Sequence, residues 1–101
     1  MVKHIILWQL KEELSQEEKK QIKDGIKQGL EALQGKIPGL LKIHVQAEGL
    51  SSSNADVMLD STFTDEDALK NYATHPEHVK AADTRVRPYT RTRLCLDYEI
   101  L

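Results

Sequence analysis

Tyr72, His75 and His78 lie in the stretch NYATHPEHVK, residues 71–80, where a tyrosine and two of the chain's four histidines gather around Pro76. A plain surface helix needs none of them. An imidazole titrates near neutral pH and can take or give a proton. A tyrosine hydroxyl can hold a carbonyl oxygen or the negative charge that develops on it. Together they suit proton abstraction beside a carbonyl, as in an aldol-type ring closure. Positions 72 and 78 are too far apart for neighbouring turns of one straight helix. A break at Pro76 brings both side chains toward one cavity, and His4 on the first strand reaches the same place. The competing reading is structural. A histidine before a proline caps a helix joint, His4 is a satisfied core histidine, and Tyr72 is a core aromatic with its hydroxyl at the edge. His75 and His78 are three residues apart, with Glu77 or Asp83 nearby, but no cysteine or third ligand completes a set. No metal and no cofactor are expected.

The elements that position these residues are legible from their periods. Val2 to Leu10, VKHIILWQL, reads as a strand. His4, Ile6 and Trp8 share one face of it and Ile5 and Leu7 the other, so both faces are expected to be covered. Ser15 to Glu18 spells a capping box. Ile22, Ile26, Leu30 and Leu33 follow at helical spacing, predicting an amphipathic helix over Gln16 to Gln34. Gly25 and Gly29 inside it imply close packing or room for something beside the helix, close packing being the simpler reading, because each costs about 1 kcal/mol against alanine. Leu40 to Glu48 and Asp56 to Phe63 read as strands, the second carrying Val57, Leu59 and Phe63 on one side. Thr64 and the acids after it start a helix that carries Tyr72 inward, breaks before Pro76 and resumes until Pro88. Arg91 to Ile100 is the last strand, with Leu94–Cys95–Leu96 expected to be buried and Cys95 an inert thiol. The order β–α–β–β–α–β predicts an α+β, ferredoxin-like fold with a broken second helix. Its helices cover one sheet face. The other is covered most simply by a second copy, giving a homodimer with a dimeric α+β barrel.

The 101 residues form one domain over 1–101, with 40% hydrophobic and 30% charged residues. The net charge of -2 and a pI near 6.1 argue against nucleic acid as a partner. Arg85, Arg87, Arg91 and Arg93 are expected to form a solvated or salt-bridged patch. One cysteine excludes an intrachain disulfide and demands no oxidising compartment. No apolar run is long enough for a membrane span, and the first residues do not read as a signal peptide. The expected location is cytoplasmic.

The opening VKHIIL, the IPGL after the first helix, the central DEDALKNYATHPEHV and the DYE near the end carry a resemblance over nearly the whole chain. The chain resembles the stress-responsive A/B barrel domain family, also called Dabb or dimeric α/β barrel proteins. The resemblance implies a ferredoxin-like monomer paired into a dimeric barrel. Some plant members are enzymes, a polyketide cyclase that makes olivetolic acid and a hydroxynitrile lyase, whereas others are stable stress proteins without known chemistry. Carried over by motif, the cyclase's catalytic tyrosine and histidine fall on Tyr72 and His78, and His4 lines the pocket. A further histidine of that pocket aligns with Val57, which makes the site here more apolar.

Two functional readings follow. In the first, each subunit of a homodimer binds a small apolar carbonyl or aromatic compound between sheet and helices. Tyr72 and His78 are the candidate catalytic residues, and His4, Trp8, Val57, Leu59 and His75 are candidates to line the ligand site. In the second, the protein is a noncatalytic dimeric stress or interaction module, with Trp8 and Phe63 filling the space a ligand would need.

Overall fold

In the computed structural model, which describes residues 1–100, four strands and three helices alternate as β1 (Val2–Leu10), α1 (Gln16–Glu31), β2 (Leu40–Gln46), β3 (Val57–Phe63), α2 (Glu66–Thr74), α3 (Pro76–Ala81) and β4 (Thr90–Glu99). The sheet is antiparallel throughout, in the order β2-β3-β1-β4. This is the ferredoxin-like arrangement expected from the element order. No helix among the described residues is long and apolar enough to cross a membrane.

Local chemistry sets the helix boundaries. The Ser15 hydroxyl accepts from the Glu18 amide at 3.1 Å, and the Glu18 carboxylate accepts from the Ser15 amide at 3.0 Å, completing the capping box. Helix α1 ends at Glu31 rather than Gln34. Beyond it the Leu33 and Gln34 amides donate to carbonyls three residues back, which tightens the chain into turns while Leu33 stays buried. Asp65, not Thr64, caps α2, its carboxylate accepting from the Ala68 amide at 2.8 Å. Pro88 does not end a helix. After α3 the chain opens into a π-helical turn over Ala82–Val86, then tightens into a 3-10 turn over Arg87–Tyr89 that contains the proline.

The core lies between the helices and one sheet face. Ile6, Trp8, Val45, Val57, Leu59 and Phe63 point into it from the strands, against Ile26 and Leu30 of α1 and Ala68 and Tyr72 of α2. Gly25 and Gly29 serve close packing as expected. The Arg85 side chain lies across them, and a Cβ added at Gly29 would sit 3.0 Å from its Cγ. The other basic side chains of that stretch divide. Arg87 pairs with Asp83, Arg91 reaches Glu12 at 3.4 Å, and Arg93 turns to the inner side of the sheet.

The expected burial of the last strand fails as well. Leu94 and Leu96 are 63% and 65% exposed, and Cys95 is exposed as well. The reason is strand order. β4 is an edge strand, so its outer face has nothing above it and its inner face overlooks a cleft rather than a helix. Ile5 and Leu7 point the same way as Leu94 and Leu96, Ile5 opposite Leu96 and Leu7 opposite Leu94. The second face of β1 is therefore only partly covered within one chain.

Gly35 and Gly39 both adopt φ of 82° but differ in surroundings. Nothing lies near a Cβ built on Gly35, whereas one on Gly39 would overlap the Ala68 Cβ. Gly35→Ala is expected to cost about 1–2 kcal/mol from the left-handed backbone alone. Gly39→Ala adds the overlap and is expected to cost about 2–5 kcal/mol. Urea unfolding of both variants checks this, and equal losses would show that Ala68 yields freely.

Candidate functional site

The joint between α2 and α3 is built by His75. Its backbone is extended, with φ -64° and ψ 133°, as the following proline demands. Its Nδ1 accepts from the Glu77 amide at 3.1 Å and so caps α3. This turns the chain enough to set the ring of His78 against that of Tyr72, with centroids 4.1 Å apart and the planes tilted by 59°. Phe63 also packs against Tyr72, with centroids 4.9 Å apart, and His4 meets the same ring edge-on at 6.0 Å.

His78, Tyr72, His4, Trp8 and Leu59 line one cavity of about 90 Å³ between sheet and helices, with Arg93 at its wall. The volume suits a few waters or a very small organic molecule and lies below the range of drug-sized pockets. A cleft of about 680 Å³ opens between α2 and β4, and the two spaces share His4 and Arg93.

The polar atoms of the small cavity are unevenly satisfied. Tyr72 is 1% exposed, and its hydroxyl is the one buried side-chain polar atom without a hydrogen-bond partner among the described residues. Burial holds the phenol well above its usual range, although the Arg93 charge pulls the other way, so it remains a donor. The His78 Nδ1 lies 3.2 Å from the Ala73 carbonyl. A carbonyl only accepts, so Nδ1 carries the proton and Nε2 carries the lone pair. Burial lowers the His78 pKa; the Ala73 bond opposes this, and the charges of Arg87, His4 and Arg93 add to it. The ring is neutral at pH 7 and can accept a proton.

Five residues read from the sequence thus meet, and two do not. Val57 is buried in the core away from the cavity wall, and His75 serves the helix joint. His75 and His78 are turned to separate backbone partners, Glu77 and Ala73. Trp8 and Phe63 fill much of the interior as the second reading required, yet leave the space beside Tyr72. Sequence reasoning missed Arg93, Cys95 and Asp97. The alternation of Arg93, Cys95 and Asp97 with Leu94 and Leu96 was the available signal, because pairing with β1 sets the first set on the inner face with His4.

A four-stranded antiparallel sheet with helices on one face, a small cavity beneath them and an apolar strip on its outer face defines a ferredoxin-like α+β domain. The chain belongs to the stress responsive A/B barrel domain (Dabb) family, whose model matches residues 2–100. A dimeric protein of unknown function with a ferredoxin-like fold from Bacteroides fragilis is 37% identical, with a TM-score of 0.92 over 98% of this chain and 95% of that one. A Dabb family protein from Mesorhizobium loti is 23% identical, with a TM-score of 0.74 over 99% of this chain and 96% of that one. The hydroxynitrile lyase from Passiflora edulis is 22% identical, with a TM-score of 0.73 over 99% and 93%. Among curated proteins none matches.

Proposed function

We propose that the protein is a cytoplasmic homodimer paired through the outer sheet face, and that each subunit binds a small carbonyl or aromatic compound beside Tyr72 and His78. The observation that carries this reading is the buried, unpartnered Tyr72 hydroxyl on the cavity wall. A buried donor without an acceptor costs about 1–3 kcal/mol, and a ligand oxygen would recover it.

The chemistry follows from the two protonation states. With a carbonyl oxygen held by the Tyr72 hydroxyl, the His78 Nε2 takes a proton from the adjacent carbon. The electron pair of the broken C–H bond moves onto the oxygen as an enolate. Tyr72 donates to that oxygen, and the positive Arg93 at the cavity wall favours the charge. His4 and Trp8 bound the space and orient the compound. The Passiflora neighbour is a lyase, which supports carbonyl chemistry on this fold only by analogy. The second reading, a noncatalytic dimeric stress or interaction module, draws on the small cavity volume.

The test is an NMR titration of the His4 and His78 ring signals with a panel of small aldehydes, ketones and phenols. Saturable shifts at His4 and His78 that are lost in Tyr72→Phe, with the dimer still folded, are expected. Silence from every compound would leave the noncatalytic module. The same spectra follow pH. The folded His78 has a pKa below the unfolded value near 6.5, so the unfolded chain binds the proton first as pH falls. Stability is therefore fully present above the unfolded pKa and lost as pH falls toward and through the folded one, and His78→Gln should remove that part of the acid limb.

A further inference from the structure

Separate from Tyr72 and His78, a second group of side chains converges on the inner face of the β1–β4 pair. His4 stands opposite Asp97 in the register, and Cys95, two residues before Asp97, shares its face. The ligand atoms of these three residues lie within 4.8 Å of one another. The Cys95 Sγ is 3.8 Å from the His4 Nδ1 and 3.4 Å from the Asp97 Oδ1, and the His4 Nδ1 is hydrogen-bonded to that same Oδ1.

We propose that His4, Cys95 and Asp97 form a binding site for a divalent transition-metal ion of the zinc type. Bonds of about 2.0–2.3 Å to a tetrahedral ion set its ligand atoms roughly 3.3–3.8 Å apart. Both separations from the sulfur already fall in or at the edge of that span. Only the hydrogen-bonded His4 and Asp97 need to part, and the ion takes the place of the shared proton. Two adjacent strands supply all three ligands, so the spacing is fixed by the sheet itself.

The donor set selects the ion. One nitrogen, one sulfur and one oxygen suit zinc and its neighbours, whereas magnesium and calcium prefer oxygen alone. A thiolate and a carboxylate neutralise the two positive charges. Three protein ligands leave a fourth position, and Cys95 and Asp97 border the open cleft of about 680 Å³. Structural zinc sites are closed by four protein ligands, so this arrangement is of the open kind that admits water or a small ligand. The outer face, where a second copy would sit, lies on the opposite side of the sheet, so pairing leaves the site reachable. Desolvation and the Asp97 carboxylate hold the Cys95 thiol above its usual range, which Arg93 partly offsets. The ion must displace that proton, so affinity rises with pH.

The experiment uses the reduced, chelator-treated full chain and titrates it with Co²⁺ as a spectroscopic substitute for zinc. One cobalt per chain, with sulfur-to-cobalt charge-transfer absorption that one equivalent of Zn²⁺ displaces, is the expected result. Cys95→Ser should abolish the absorption, and His4→Gln and Asp97→Asn should each weaken Zn²⁺ binding on the order of 100-fold, at or beyond the loss from removing an outer partner. Tyr72→Phe should leave it unchanged, which separates this site from the carbonyl reading. No charge-transfer band would overturn the site, and a band that persists undiminished in Asp97→Asn would overturn it and leave an exposed thiol capturing metal by itself. Asp97 is exposed on an edge strand, so that variant decides even if His4→Gln fails to fold.

Discussion

Leu94→Lys combined with Leu96→Lys is expected to turn a dimer into a folded monomer. Both side chains are well exposed within one chain, so their replacement removes little from the core. They join Ile5 and Leu7 of β1 in one apolar strip, with Met58 and Tyr98 at its margins. The far half of the same face is polar, with Lys42 and His44 of β2 and the Lys3–Asp60 ion pair at 2.7 Å. A strip of this kind is suited to pairing with its own copy across a twofold axis, where each protomer would offer the same patch. Burying a leucine is worth roughly 1.5–3 kcal/mol, and a twofold interface would bury each of these two twice. The double variant should therefore weaken association by on the order of 10⁴-fold or more, before the repulsion between four lysines is added. Sedimentation equilibrium reads the result directly. A double variant that sediments as a dimer would mean the strip is not the interface.

Tyr72→Phe should leave the empty protein as stable as the parent or more stable, while weakening its affinity for carbonyl compounds. The change deletes one oxygen that is buried and has no partner among the described residues. Removing an unsatisfied buried hydroxyl is worth about 1–2 kcal/mol in favour of the folded state. The ring contacts with Phe63 and His78 persist. Most substitutions in a core destabilise, so a gain here identifies a group kept for something other than the fold. Ligand affinity should fall by roughly tenfold or more for the lost hydrogen bond in a desolvated site. The comparison is a pair of thermal melts and a pair of ligand titrations. A loss of stability above about 1 kcal/mol would show that the hydroxyl has a structural partner and would sink the carbonyl reading.

His75 and His78 show why a motif has to be resolved residue by residue. Both sit in one phrase of the sequence, and both have the same chemistry available. The proline fixes the backbone of His75 and leaves its ring over the first free amides of α3, where it caps. His78 comes one turn later, on the inward side, and burial keeps it neutral. The structural alternative thus accounts for one histidine, and the other is a candidate for chemistry.

What the sequence determined by itself is what depends on near neighbours along the chain. The period of two in VKHIILWQL, the reciprocal cap of Ser15 and Glu18, the glycine turn at Gly39 and the break before Pro76 each act within a few residues. They fix the elements, their order and which side chains share a face. Tertiary structure alone decided the depths and meetings. Leu94–Cys95–Leu96 reads as a buried strand because its composition is apolar, but β4 lies at the sheet edge and the face is open within one chain. Arg93 reads as part of a solvated patch because its neighbours in sequence are basic, but strand pairing carries it to the wall that His4 and Tyr72 share. The size of the cavity follows from how Trp8, Tyr72 and Leu30 pack across elements far apart in sequence. Local periodicity gives a side chain its direction, and only the strands and helices around it give that direction something to meet.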